Sequence, residues 1–205
     1  MQVVILDTVT LRHFIVLGRV PLLREWLGSD LLIPQRVHQE LLTGVTKHDP
    51  RTLSRDPAVA AQRSARFKAY PDQHERWGIR VLPSPDLLAL SPDALQLLVA
   101  LEGQDRPPVH AGEKEVILWA YEQGYRVCTD DRGAYRTLRA LICGALPNVP
   151  PRPLSVVGTP GLLAEQIARG RLSDADASAR WSEVQEVWRW APKGSLQELL
   201  RGEYW

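Results

Sequence analysis

The sequence contains few cysteines. It has only two in 205 residues, Cys128 and Cys143. They form neither a Cys-x-x-Cys pair nor a cluster with histidine, so the sequence indicates neither a disulfide framework nor a zinc site. We expect both thiols to be small buried groups, as free cysteines usually are.

Long hydrophobic runs and several common motifs are also missing. No stretch approaches the roughly 18 apolar residues of a membrane span. The N-terminal MQVVILD reaches an acid at Asp7 without the basic region of a signal peptide. The motifs G-x-x-x-x-G-K-[ST] and G-x-S-x-G are absent. We therefore expect a soluble, cytoplasmic protein that contacts no membrane.

The overall composition is that of an ordinary globular protein, with 44% hydrophobic and 24% charged residues. That balance excludes a disordered polyelectrolyte. The net charge of +1 hides an uneven distribution: residues 47–80 hold eight Lys or Arg against four acids, and residues 101–131 hold seven acids against three bases. The basic stretch is interpreted either as a solvated helix face or as a surface for phosphates.

Short apolar runs alternate with helical patterns along the first two thirds of the chain. Strands are predicted at 2–6, 31–33, 79–82 and 126–129, and helices at 8–17, 20–27, 34–43, 58–70, 87–101, 113–123 and 134–142. The strands do not alternate polar and apolar residues, which favours parallel strands buried on both faces. The order predicts an α/β fold with three α/β/α layers around a central parallel sheet.

The alternation of strand and helix patterns ends near Pro147, where prolines become frequent. We expect residues 1–146 to form the α/β domain and residues 147–205 to form a proline-led helical extension, with helices near 162–168 and from Ser173 onward. Four of the seven tryptophans lie in the last 25 residues: Trp181, Trp188, Trp190 and Trp205. Such a tail either packs on the domain or forms a surface for a partner.

Acidic residues follow the strands or begin the helices at several distant places. The candidates are Asp7, Glu40, Glu113, Glu115, Asp130 and Asp131. Each acid taken alone is explained by an ordinary structural role, as a helix cap, as a favourable charge in the first turn of a helix or as a solvent-exposed side chain. The carboxyl ends of parallel strands share one edge of a sheet, so jointly these acids are expected to meet there. Clustered carboxylates repel one another, and one or two Mg²⁺ or Mn²⁺ ions would neutralise them.

Three segments carry a resemblance to a known family. They are VVILDTVTLRHF, LLIPQRVHQELLTG and HAGEKEVILWAYEQGYRVCTDDRGAYR, with HERWGIRVLP between the second and the third. In their order and spacing they resemble the PIN-domain family, particularly its VapC-like toxin branch, over about residues 2–143. The resemblance implies a metal-dependent endoribonuclease that hydrolyses RNA.

The resemblance also implies roles for particular residues. Asp7, Glu40, Glu113 and Asp131 would be catalytic, and the metal ligands would come from these four together with Glu115 and Asp130. The family usually has an aspartate in the third place, where this chain has Glu113 and Glu115, and which of the two binds metal stays open. Candidates for substrate binding are Thr8, Arg12, Thr129, Arg132 and Arg136, with His13 and His110 as further candidates for substrate contact.

The implied partners are RNA, a small antitoxin that fills the acidic cleft by offering an arginine, and a second copy of the chain. One alternative is a catalytically silent PIN-like module that binds RNA or a protein. A haloacid-dehalogenase-like enzyme needs D-x-D-x-T after the first strand, and Val9 stands at the second aspartate position. A receiver-like fold would bring its acids in another order, and no matching lysine follows a late strand.

Overall fold

A computed structural model describes residues 3–28, 30–49, 53–103, 109–188 and 191–201. These residues form one five-stranded, all-parallel sheet with helices against it, in the order β3-β2-β1-β4-β5. The strands are β1 (Val4–Leu6), β2 (Leu31–Pro34), β3 (Ile79–Leu82), β4 (Arg126–Cys128) and β5 (Val156–Val157). The predicted α/β class with a central parallel sheet is confirmed.

The helices connect and cover the strands. Among the described residues they are α1 (Thr8–Leu17), α2 (Val20–Leu27), α3 (Gln35–Lys47), α4 (Pro57–Lys68), α5 (Tyr70–Gln73), α6 (Pro92–Glu102), α7 (Ala111–Gln123), α8 (Arg132–Ile142), α9 (Thr159–Ala168), α10 (Asp174–Val187) and α11 (Leu196–Arg201). None of them is both long and apolar enough to cross a membrane.

The first strand lies at the centre of the sheet. Ile5 of β1 pairs with Leu32 of β2 on one side and with Val127 of β4 on the other. All three side chains are buried, because helices cover both faces of a parallel sheet. This explains why the strand sequences are continuously apolar, and it places the ends of β1 and β4 side by side.

The extension contributes to the sheet and to the core. β5 pairs with β4 through Val156 and Val157 and was not predicted from the sequence. Trp181 on α10 is 1% exposed, and Trp188, which follows the last residue of α10, is 5% exposed. These two tryptophans therefore pack on the chain itself. Trp190 and Trp205 lie outside the described residues.

Several predicted boundaries were wrong. Pro34 ends β2 instead of opening α3, and α3 passes through Gly44 to Lys47. The helix predicted at 87–101 begins only at Pro92, because the hydroxyl of Ser91 caps it by accepting from the Ala94 N–H at 3.2 Å. Cys143 is exposed, so the expectation of two buried thiols holds only for Cys128.

Candidate active site

The site is built on the neighbouring carboxyl ends of β1 and β4, where Leu6 pairs with Cys128. Asp7 follows β1 directly and caps α1, since its Oδ1 accepts from the Thr10 N–H at 2.8 Å. Asp131 follows β4 and caps α8 by accepting from the Ala134 N–H at 2.8 Å. The caps predicted from the sequence are therefore present, at the edge where the acids were expected to meet.

Hydrogen bonds join the two strand ends. Oδ2 of Asp7 accepts from Thr129 Oγ1 at 2.6 Å and from the Asp131 N–H at 3.3 Å. Asp7 is fully buried, and Thr129 is buried beside it. The Asp7 side chain therefore has partners from two elements and is held in one position beneath the Asp131 backbone.

Glu40 reaches the same region from α3. Its Oε2 accepts from the Thr8 hydroxyl, and its Oε1 accepts from the Gly112 N–H at 3.0 Å. A Cβ at Gly112 would lie only 2.7 Å from Oε2 of Glu40. Glycine at this place lets the start of α7 approach the carboxylate of α3, so these two helices meet at the acidic residues.

Glu113 lies in the first turn of α7 and is 4% exposed. Among the described residues, its buried Oε2 has no hydrogen-bond partner. A buried carboxylate oxygen without a partner is costly. This oxygen is therefore free to accept or share a hydrogen bond with a group outside the described residues.

The carboxylates act on one another electrostatically. The pKa of Glu113 is raised to about 8, mainly by burial and in addition by the charges of Asp131, Asp7 and Glu40. Burial also raises the pKa of Asp7 to about 7, with a contribution from Asp130 and against the hydrogen bond from Thr129. The four acids predicted to be catalytic therefore share one electrostatic environment.

Two other predicted ligands lie elsewhere. Asp130 accepts from the N–H and the Oγ1 of Thr159 at 2.7 and 2.6 Å, and its Oδ2 lies 3.4 Å from Nδ1 of His13. Glu115 accepts from the Arg36 N–H at 3.0 Å, at the start of α3. Asp130 thus joins β4 to α9 of the extension, and Glu115 caps α3.

A groove of about 710 Å³ extends from the acids along α3. Thr8, Glu40 and Glu113 line it together with His110 and a row of α3 side chains: Arg36, Gln39, Thr43 and Lys47. This row follows the helical spacing of three to four residues, so it occupies one face. Arg36, Gln39, Thr43 and Lys47 were not among the predicted site residues, although their spacing is visible in the sequence.

The remaining candidates for substrate contact are placed differently. The guanidinium of Arg12 lies 5.6 Å from the ring centre of Phe67, and burial lowers its pKa. Arg132 and Arg136 are exposed on α8. His13 is 2% exposed, its ring lies 5.2 Å from that of Trp188, and burial lowers its pKa.

The carboxylates of the cluster fit a metal ion only in part. Within the described ranges, no three His, Cys, Asp or Glu side chains are arranged to hold an ion directly. Mg²⁺ uses one or two carboxylates and keeps several waters. The unpartnered Glu113 Oε2 and the mutual repulsion of the acids are compatible with such an ion, held partly through water.

No family model, curated protein or solved structure matches this chain. The resemblance to PIN domains therefore stays a hypothesis.

Proposed function

We propose that the protein is a Mg²⁺- or Mn²⁺-dependent endoribonuclease of the PIN type, which hydrolyses RNA phosphodiester bonds. Its catalytic residues would be Asp7, Glu40, Glu113 and Asp131. The observation that carries the proposal is the buried Oε2 of Glu113, which has no partner among the described residues and lies in the field of three other carboxylates. A hard dication is the ligand that removes both costs at once.

The chain itself would orient the reacting groups. When bound, the ion would act as a Lewis acid on the phosphate and lower the pKa of a water. Thr129 fixes the carboxylate of Asp7, and Thr8 and the Gly112 N–H fix that of Glu40. Carboxylates held this way can accept a proton from an attacking water without reorganising first.

The groove along α3 supports a nucleic-acid substrate. Arg36 and Lys47 lie eleven residues apart on α3, a separation of about 16 Å along a helix. Glu40 lies between them, so cations flank the acids on the same face. Guanidinium and ammonium groups bind phosphates, and a strand lying in this groove would bring one phosphodiester to the acids.

The proposal is tested by RNA cleavage with Mg²⁺, with Mn²⁺ and with a chelator. We expect the intact protein to cut single-stranded RNA only with metal, and Asp7→Asn to lose activity by about two orders of magnitude or more. The matched control is Asp56→Asn, because Asp56 also caps a helix but is exposed on α4. Equal cleavage by Asp7→Asn and the intact protein would refute the site.

One observation favours a second function. Because no three described side chains are arranged to hold an ion directly, a silent module that binds RNA or a protein in the α3 groove is the alternative. RNA binding that persists without cleavage under both metals would favour this alternative.

The partners and location follow from the same proposal. RNA would be the substrate, an antitoxin would place an arginine among the acids, and a second copy would form a homodimer. The enzyme would act in the cytoplasm, where its substrate is found. The antitoxin is tested by purifying the protein from its native cell. We expect a small protein to co-purify with the intact chain and not with the variants of the acidic site.

A further inference from the structure

A second cavity, of about 830 Å³, lies apart from the acidic site. Val3, Asp30 and Tyr125 line it, and these residues directly precede β1, β2 and β4. The cavity therefore lies beside the amino ends of β1, β2 and β4 and extends along the edge strand β3 to Leu82, whereas the acids lie at the carboxyl ends of β1 and β4. None of its lining residues belongs to the acidic site or to the α3 groove.

The charged lining of this cavity is mainly guanidinium. It is lined by Arg24 of α2, by Arg76 of the turn before β3 and by Arg80 of β3. The carboxylates of Glu25 and Asp30 also line it. Asp30 lies 3.3 Å from Arg24 and 3.8 Å from Arg80. Each ion pair engages one nitrogen, and a guanidinium has five N–H donors, so most donors stay available to an anion.

The guanidinium of Arg24 lies directly against Gly78. Gly78 has a φ of +73°, and a Cβ there would lie 2.7 Å from the guanidinium carbon of Arg24. The turn before β3 thus leaves room for the guanidinium against its backbone.

Two aromatic side chains complete the wall. Trp77 and Tyr125 both line the cavity and are half-buried. Aromatic rings of this kind stack on nucleobases, and planar guanidinium groups bind phosphate with two parallel hydrogen bonds. The volume lies within the range of about 300–1,000 Å³ that is usual for small-molecule sites, so it has room for a base as well as a phosphate.

We infer that this cavity is a nucleotide-binding site, in which Trp77 and Tyr125 contact the base and Arg24, Arg76 and Arg80 bind the 5′-phosphate. The nucleotide is either free or the phosphorylated end of an RNA strand, since both present the same chemistry. The inference does not depend on the proposed nuclease activity, because the two sites share no residue.

The test is calorimetric titration of the full chain with adenosine monophosphate in chelator, which keeps metal out of the acidic site. We expect saturable binding, and weaker binding of adenosine alone and of inorganic phosphate alone. Arg80→Gln and Trp77→Leu should each weaken binding by about tenfold. Arg55→Gln, a change at an exposed arginine of the loop before α4, should leave binding unchanged.

Two results overturn the inference: no binding of the monophosphate, or equal binding by Arg80→Gln and the intact chain. Because Arg80 is exposed, that variant is expected to fold even where Trp77→Leu does not. A 5′-phosphorylated RNA that binds more tightly than the monophosphate, with the same loss in Arg80→Gln, identifies the strand end. Equal or weaker binding of the RNA identifies the free nucleotide.

Discussion

The backbone N–H of Gly112 donates to Oε1 of Glu40 at 3.0 Å, and the Gly112 Cα faces the same carboxylate so closely that a Cβ would lie 2.7 Å from Oε2. The first turn of α7 and the middle of α3 are thereby brought together. This contact is the reason that Glu40 and Glu113 share one cluster although 72 residues separate Gly112 from Glu40.

Gly112→Ala should move Glu40 away from the cluster. The added methyl group cannot fit at 2.7 Å, so the Glu40 carboxylate must shift and the preorganisation of the site is lost. We expect metal-dependent RNA cleavage to fall by about tenfold or more, with a folded protein by circular dichroism. The control is Gly103→Ala, since a Cβ at Gly103 has its closest contact at 3.6 Å; equal losses in both variants would contradict this role.

The stability of the metal-free protein should fall as the pH rises. The folded-state pKa values of Asp7 and Glu113 are raised from 3.8 and 4.5 to about 7 and about 8. Folding is therefore favoured by proton binding at low pH, and this contribution is lost as the pH rises through those values. Thermal unfolding in chelator between pH 5 and pH 8.5 measures the effect.

Glu113→Gln should reduce this pH dependence. The variant has no carboxylate to ionise at position 113, so its Tm should fall several degrees less than that of the intact protein between pH 5 and pH 8. Glu75→Gln, at an exposed glutamate, serves as the control and should leave the profile unchanged. A profile for Glu113→Gln as steep as that of the intact protein would show that Glu113 does not ionise over this range.

The sequence was sufficient to predict the edge of the sheet at which the acids meet. The apolar runs of β1 and β4 end at Asp7 and at Asp130-Asp131, and parallel strands end on the same side. It did not decide between neighbouring acids. Glu113 and Glu115 are two residues apart on a helix and so face different directions, and only packing determines which one is buried.

Two other features were beyond sequence reasoning for physical reasons. β5 is only Val156–Val157, shorter than the run of about four to eight residues from which a strand can be predicted. The boundary expected at residue 147 therefore separated β5 from the sheet that it completes. The proximity of Gly112 to Glu40 is a tertiary contact, which no local pattern reports.

The link between β4 and the extension should contribute to stability. Thr159→Val removes the hydroxyl that donates to the buried Asp130 carboxylate at 2.6 Å. We expect a loss of about 1–3 kcal/mol in the free energy of unfolding, measured with urea. Thr46→Val removes an exposed hydroxyl bond to Thr43 and should cost much less; equal losses would show that the Asp130 contact is not special.

Binding of Mn²⁺ tests the central claim most directly. Calorimetry at pH 7.5 in buffers of different ionisation enthalpy should show Mn²⁺ binding with release of protons, because Asp7 and Glu113 have pKa values of about 7 and about 8 and must ionise to bind. Glu113→Gln should bind about tenfold more weakly and release fewer protons. An intact protein that binds no Mn²⁺, or binds it as tightly as Glu113→Gln does, would contradict the account.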